Sequence, residues 1–360
     1  MSIRVVLALL LAILWLWPAS LHAQSEALME AYRQGTALYE AGRYEQAISF
    51  YRKALELGER EFGPDHPTTA LLLNNLAELY LNQGLHEAAE PLYKRSLAIR
   101  ENALGPDHPS VATGLNNLAN LYYAQGRYEA AEPLHKRALA IREKALGPDH
   151  PDVATSLNNL AALYHAQGRY AEEEPLLKRS LAIWEEALGP EHPNVATSLN
   201  NLAVFYRVQG RYVEAEPLYE RALVIKEKEL GLDHPSVATS LDNLAVVYVA
   251  QGRYADAEPL AKRSLTIFET VLGPDHPDVA TNLNNLAELY YAQRRYAEAE
   301  TLYQRALAIY EKALGPEHPA VAKSLQNYAA LLRKTGRDDE AVELEARAKA
   351  IRAKHGEENP

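Results

Sequence analysis

The chain has 360 residues, a formal net charge of −11 at neutral pH and no cysteine. An acidic chain repels phosphate backbones, which argues against nucleic acid as a partner. The lack of cysteine excludes disulfides, thiol catalysis and cysteine-ligated metal sites.

Residues 1–23 have the pattern of a secretory signal. Arg4 precedes an apolar run over residues 5–17, and small residues lead to a cleavage point after Ala23. The run has 13 residues, fewer than the ~20 that a helix needs to cross the hydrocarbon core. Cleavage is therefore favoured over retention as a membrane anchor. The sequence predicts an exported protein, periplasmic or secreted, with no membrane span after the signal is removed.

A turn of five residues organises the rest of the chain. Gly-Pro-Asp-His-Pro, or a close variant of it, begins at positions 63, 105, 147, 189, 231, 273 and 315, always 42 residues apart. Self-similarity at a fixed period of this size is typical of a solenoid, in which each unit buries its apolar face only against its neighbours.

Each unit is predicted to be an antiparallel pair of helices. In the unit that begins at Pro109, the first helix should run to about residue 124 and the second from about 128 to 146. Proline is favoured in the first helical turn, and Gly126 can adopt the left-handed conformation that ends a helix. A further unit over residues 27–61 has the same pattern, so the sequence predicts eight helical pairs.

The residues of each unit resemble a known family. Leu-Ala-x-Leu-Tyr, Gly-Arg-Tyr and Arg-Ala-Leu are similar to the tetratricopeptide repeat, and the 42-residue period with Leu-Asn-Asn-Leu-Ala at 115–119 resembles the kinesin light chain type. The resemblance covers about residues 28–354. It implies an all-α solenoid over residues 24–355, a right-handed superhelix with a concave groove for a ligand, followed by a polar tail over 356–360. It does not imply the kinesin function itself.

Three departures from the repeat carry structural predictions. Arg294 stands where other copies have the glycine that ends the first helix, which predicts a strained turn. Asp338 and Glu345 stand in the last unit at the positions of Tyr128 and His135, which predicts a solvent-facing cap, because no later unit covers that helix. Prolines recur inside the second helix, where each removes one hydrogen bond. They are Pro91, Pro133, Pro175, Pro217 and Pro259.

Neither a metal site nor a catalytic site is predicted. Each turn contains an acid beside a histidine, such as Asp149 and His150. Adjacent residues rarely bind one ion, and zinc needs three or four ligands, so the histidine is expected to form a hydrogen bond within its turn. The chain contains no Gly-x-Ser-x-Gly, His-Glu-x-x-His or phosphate-binding loop. No cofactor is expected, and a hydrolase is only the third hypothesis.

An asparagine column is the main candidate for a binding site. One asparagine recurs in all seven copies that follow the recurring turn, on the side of the first helix away from the core, and helix propensity does not explain it. The amide could bond the backbone of an extended peptide, or it could form a structural ladder between successive first helices. Both interpretations stay open. The column comprises Asn75, Asn117, Asn159, Asn201, Asn243, Asn285 and Asn327.

The residues beside the column vary, as a surface that selects side chains would. Val204, Val208 and Val246, with Ala250, form a predicted apolar patch beside Arg207. A partner segment should place an apolar residue on the patch and an acidic one near the arginine. The predicted function is a non-enzymatic scaffold that binds a peptide or protein segment. The alternative is a structural protein that self-associates and binds no peptide. The sequence predicts neither the partner nor the oligomeric state.

Overall fold

The structure, a computed structural model, describes residues 19–355, with side chains from residue 26 onward. These residues form sixteen α-helices in eight antiparallel pairs, as predicted. Most of the predicted signal segment and the whole of the predicted tail, residues 356–360, lie outside the described residues, and both stay predictions. None of the helices in the described range is long and apolar enough to cross a membrane.

The helices are α1 (Ala19–Glu40), α2 (Tyr44–Phe62), α3 (Pro67–Asn82), α4 (His86–Leu104), α5 (Pro109–Ala124), α6 (Tyr128–Leu146), α7 (Pro151–Ala166), α8 (Tyr170–Leu188), α9 (Pro193–Val208), α10 (Tyr212–Leu230), α11 (Pro235–Ala250), α12 (Tyr254–Leu272), α13 (Pro277–Ala292), α14 (Tyr296–Leu314), α15 (Pro319–Lys334) and α16 (Asp338–Lys354). Odd-numbered helices are the first helices of their pairs.

The recurring turn starts each first helix from α3 onward. In α5 the proline occupies the first helical position, and His108 before it has an extended backbone, with φ −74° and ψ 140°. Its Nδ1 accepts a hydrogen bond from the backbone N–H of Ser110 at 3.1 Å. The same bond recurs in all seven copies of the turn. The predicted hydrogen bond of the histidine within its turn is confirmed as a helix N-cap.

Glycine ends most first helices, as predicted. Gly126 has a φ of +71°, and the N–H of the next residue, Arg127, donates to the Tyr122 carbonyl at 2.8 Å. This geometry closes the end of α5 in the manner of a left-handed cap. Arg294 has a φ of +62° and is the one non-glycine residue with a positive φ in the described chain. The predicted strain at Arg294 is thereby confirmed as a left-handed backbone that carries a side chain.

The chain divides into two compact units, an N-terminal half over residues 1–183 and a C-terminal half over residues 184–360. Within each half, successive first helices contact one another, as α5 does α7 and α11 does α13. The described residues show no comparable direct contact between successive second helices within either half. The first helices therefore lie on the inner side of the stack in each half.

Small residues allow each pair to pack closely. Ala119 in α5 and Ala131 and Ala138 in α6 are fully buried, as are the equivalent alanines of most other pairs. Leu115 and Leu118 complete the predicted apolar stripe of α5, at 0% and 4% exposure. Burial of each leucine side chain stabilises the fold by about 1.5–3 kcal/mol. The packing is local to neighbouring helices, as a solenoid requires.

Charged side chains join each pair to the next. Arg137 of α6 donates to Glu101 of α4 at 2.6 Å and to the carbonyl of Pro106 at 3.2 Å. Arg127 lies over the ring of Tyr122, with its guanidinium carbon 4.1 Å from the ring centre, and bonds Glu90 of the preceding pair at 3.0 Å. Both arrangements recur along the chain. Each is partly exposed, so an individual ion pair contributes little, but the repetition fixes the register of the pairs.

The last pair ends the stack with polar residues. Asp338 is exposed, and Glu345 is half-buried where earlier pairs have a packing residue. Arg333 of α15 pairs with Glu345 at 2.7 Å and lies 3.5 Å from Asp338. The predicted solvent-facing cap is confirmed.

Candidate functional site

In each half the members of the asparagine column lie on the inner side of the first helices, and all seven are half-buried. Asn117 Nδ2 of α5 donates to Asn74 Oδ1 of α3 at 2.7 Å. Asn243 makes the equivalent bond to Asn200 at 3.4 Å. Side chains of the neighbouring first helix also accept from three other members of the column. These bonds are Asn75 to Tyr32 at 2.9 Å, Asn285 to Asp242 at 2.5 Å and Asn327 to Glu288 at 2.6 Å.

The column therefore contains the amide ladder that was one of its two interpretations. Each of these bonds uses one N–H of the amide. A primary amide has a second N–H and a carbonyl oxygen with two lone pairs. A half-buried amide that the ladder holds in a fixed orientation can therefore still form a hydrogen bond with the backbone of an extended peptide. The peptide-binding interpretation stays a prediction.

The residues of the predicted apolar patch lie on first helices of the C-terminal half. Val204 of α9 and Val246 of α11 are half-buried, and Ala250 is exposed. Val208, at the end of α9, is 44% exposed. These side chains occupy equivalent positions of two successive first helices, which the Asn243–Asn200 hydrogen bond links. The patch offers apolar area to a side chain that lies across the two helices.

Arg207 lies beside the patch and is half-buried. Its Nε forms no hydrogen bond. Tyr219 is fully buried; burial raises the pKa of its hydroxyl, and Arg207 opposes that shift through a side-chain hydrogen bond and through its charge. A buried guanidinium N–H without an acceptor is costly. An incoming carboxylate could supply the acceptor, which agrees with the predicted acidic residue of a partner.

Sequence reasoning missed an acidic position on the same face. Asp242 of α11 occupies the place that asparagine or glutamine holds in every other full-length copy, and it accepts from Asn282 at 2.9 Å and from Asn285 at 2.5 Å. Burial raises the pKa of the Asp242 carboxyl to about 7, with a further contribution from Glu288 and an opposing one from Arg207. The single acid in a column of amides was the available signal, but its burial was not visible in the sequence.

A buried acid–histidine pair was also missed. Glu173 of α8 occupies the position that alanine holds in all seven other pairs and is 4% exposed. Both of its carboxylate oxygens lie 3.0 Å from His165 Nδ1. Burial raises the pKa of Glu173, and the His165 charge opposes the shift. The pair satisfies the carboxylate within the fold.

No group of three or more histidine, aspartate or glutamate side chains in the described range is placed to hold a metal ion. The histidines of the turns are used as helix caps. His135 is buried in α6, where its Nδ1 lies 3.0 Å from Asn116 Oδ1, and burial lowers its pKa to about 4. These histidines therefore have structural contacts that account for them.

A family model described as tetratricopeptide repeat matches six segments that together span most of the chain. They are residues 27–102, 68–144, 110–186, 194–270, 243–312 and 278–354. No curated protein matches the chain by sequence comparison.

Solved structures agree with the family model. A putative kinesin light chain with nearly identical repeats from Podosopora anserina is 32% identical over 57% of this chain and 98% of its own, with a TM-score of 0.52. BtubC from P. vanneervenii is 24% identical over 66% of this chain and 93% of its own, with a TM-score of 0.52. A signal transduction ATPase with a tetratricopeptide repeat sensor from Pyrococcus horikoshii is 15% identical over 91% of this chain and 47% of its own, with a TM-score of 0.64. The last two share the fold alone.

Proposed function

We propose that this chain, which belongs to the tetratricopeptide repeat family and is of the kinesin light chain-like type, is a non-enzymatic scaffold that binds an extended segment of a partner protein. Tetratricopeptide repeats typically mediate protein–protein interactions. The observation that carries the proposal is the asparagine column on the inner face, constant in all seven copies while its neighbours vary.

Constant amides and variable neighbours suit the two parts of a peptide. The backbone is the same at every residue, so a fixed row of donors and acceptors can bind it without regard to sequence. Hydrogen bonds to the neighbouring first helix orient five of the seven amides before binding, which reduces the entropy lost on binding. The neighbouring positions then select side chains.

The C-terminal half supports a specific partner chemistry. An apolar residue of the segment would lie on Val204, Val208 and Val246, and an acidic one would face Arg207. The unpartnered Nε of Arg207 supports the acidic residue, because a charge-assisted hydrogen bond to it would satisfy a half-buried donor.

We further propose that the protein acts in the periplasm or outside the cell. The signal-like segment over residues 1–23 supports export. The intact mass of the exported protein tests this, because cleavage places Gln24 at the N-terminus. A mass that includes residues 1–23 would contradict it.

The test of binding starts with affinity capture on residues 24–360 and continues with titration of the captured partner's segment. Asn201→Ala combined with Asn243→Ala should weaken binding by about tenfold or more, since each lost amide contact costs roughly 0.5–1.5 kcal/mol. Asn194→Ala is the matched control, because Asn194 is an exposed asparagine of α9 outside the column.

Three outcomes are distinguishable. Weaker binding by the double variant and unchanged binding by the control support the groove. Equal binding by a double variant that stays folded by circular dichroism means that the column is only a structural ladder. Elution in gel filtration that shifts with protein concentration, without any captured partner, supports self-association instead.

A further inference from the structure

A small cavity lies among α11, α12 and α13 on the inner face of the C-terminal half. Its volume is about 30 Å³. A water-sized group needs roughly 10–15 Å³ by such a measure, so the cavity holds the end of one side chain rather than a whole residue. Valine, alanine and leucine side chains form its apolar walls, and three polar side chains border it. The polar residues are Asp242, Asn285 and Glu288, and the apolar ones include Val246, Val249 and Ala261.

The cavity exists because Ala261 is small. The equivalent position of the second helix has a larger side chain in every other pair. Those residues are Tyr51, Tyr93, His135, Leu177, Tyr219, Tyr303 and Glu345. In the pair α5–α6, His135 reaches to 3.0 Å from Asn116. Asp242 occupies the place of Asn116 in the pair α11–α12, and the methyl group of Ala261 cannot reach it in the same way.

The side chains around Asp242 supply more acceptors than donors. The two Asp242 oxygens accept from the amides of Asn282 and Asn285. None of the ion pairs among the described residues includes Asp242. Asn282 is 1% exposed, and its Oδ1 has no hydrogen-bond partner. A buried carboxylate without a close cation is costly, and so is a buried acceptor without a donor.

Glu288 adds a second negative charge at the exposed side of the cavity. Its side chain is exposed and accepts from Asn327 Nδ2 at 2.6 Å. Its surroundings raise the pKa of the Glu288 carboxyl by desolvation, and the charge of Lys323 opposes that shift. The cavity therefore has apolar walls, one half-buried carboxylate without a close cation and one exposed carboxylate. The complementary group is a cation on an aliphatic stem.

We propose that this cavity binds the ammonium end of a lysine side chain of the partner segment. Asp242 is the counter-ion, and Val246 and Val249 contact the methylene stem. The inference rests on the proposed function, since the lysine belongs to the segment bound along the inner face. Lysine fits better than arginine because an ammonium is a compact charge with three donors, whereas a guanidinium is a planar fork.

The charge of the bound lysine would also stabilise the ionised form of Asp242. Burial holds the pKa of this carboxyl near 7. An opposite charge in contact favours ionisation and lowers the pKa. Binding of lysine should therefore release a proton near neutral pH, and binding should strengthen as pH rises from 5 to 8. Glu288 and Arg207 are the other charged groups that face Asp242, and Lys323 faces Glu288.

The test uses pools of nonapeptides with blocked termini, in which neutral residues are randomised around a fixed central residue. The central residue is lysine in one pool, norleucine in a second and arginine in a third. Fluorescence anisotropy at pH 8 measures binding to residues 24–360. The lysine pool should bind about tenfold or more tightly than the norleucine pool, as expected for a charge-assisted hydrogen bond. It should also bind more tightly than the arginine pool.

Two variants and one control test whether the preference for lysine arises at this cavity. Asp242→Asn removes the charge and restores the residue of most other copies. Ala261→Tyr fills the cavity with the side chain found in four other pairs. Both should remove the lysine preference while binding of the norleucine pool persists. Asn200→Asp is the control, because it places a carboxylate at the equivalent position beside Tyr219, and it should leave the preference unchanged.

Each contrary result has a separate meaning. Equal binding of the lysine and norleucine pools by the parent protein, or a preference that survives Asp242→Asn, overturns the lysine assignment and leaves the groove intact. An arginine pool that binds as tightly as the lysine pool also overturns it. If no pool binds the parent protein at all, the proposed peptide-binding function fails together with this inference.

Discussion

Replacing Asp242 with asparagine should stabilise the protein at pH 8. Burial raises the folded-state pKa of the carboxyl to about 7 from its ordinary value of 3.8, so ionisation opposes folding. Each pKa unit corresponds to about 1.4 kcal/mol, which gives about 4 kcal/mol as an upper limit at pH 8. Asp242 is only half-buried by accessible area, so screening by solvent reduces the expected gain to about 2 kcal/mol.

The sign of the pH dependence is fixed by the raised pKa. The cost of the charge is fully present above about pH 7, and it disappears as pH falls below the unfolded value near 4. The advantage of Asp242→Asn over the parent should therefore shrink steadily from pH 8 to pH 5. The amide introduced at position 242 can also form a hydrogen bond. Oδ1 of Asn282 has no donor, and after a rotation of the Asn282 amide it can accept from the new N–H.

Chemical unfolding followed by circular dichroism at pH 8, 6.5 and 5 measures the effect. Asn284→Asp is the matched control at the equivalent position of the next pair, where the parent asparagine is 8% exposed, and it should lose stability as pH rises. An Asp242→Asn variant no more stable than the parent at pH 8, or one whose advantage grows at low pH, would refute the reasoning about a destabilising buried charge.

Two further substitutions test the repeat itself. Arg294→Gly should stabilise the protein by about 0.5–1 kcal/mol, because glycine relieves a left-handed backbone at φ +62°, although it raises the entropy of the unfolded chain. Gly252→Arg should lower the stability by a similar amount, as measured by thermal denaturation of both variants beside the parent. Equal melting temperatures of both variants and the parent would contradict this. His150→Ala should cost about 1 kcal/mol by removing the N-cap of α7, which accepts from Asp152 N–H at 3.1 Å. His150→Asn should keep most of the stability, and zinc detected by elemental analysis in the parent but not in these variants would show that the histidine is a ligand instead.

The helix boundaries could be predicted closely from the sequence because the turns encode them chemically. Pro109 fixes the start of α5 and Gly126 its end, and the structure places both where the sequence did. The signals depend only on local backbone conformation, and they recur at one period. The contact between Arg137 and Glu101 could not be predicted in the same way. These residues are 36 apart, and on a single helix each looks like an ordinary surface charge.

The candidate site could be predicted only in part, because some of its features depend on contacts between different pairs. The asparagine column is visible as a constant position, and its placement on the inner face follows from helical periodicity. Whether its amides bond one another depends on the distance between successive first helices, which the sequence of one unit does not contain. The cavity beside Ala261 could not be predicted either. An alanine in a helix is common, and its significance depends on the larger side chains that fill the same space in the other pairs.

Departures from the repeat cluster around one place, and this clustering favours a specific role over random drift. Asp242 replaces an amide, Ala261 replaces a larger side chain, and Asn282 stands where the preceding three pairs have serine. They lie on three consecutive helices and border or adjoin one cavity. The charge and the unpaired acceptor each reduce stability. Neighbouring copies have a more stabilising residue at each of these positions, so two unfavourable residues beside one unfilled space favour the proposed binding of a partner group.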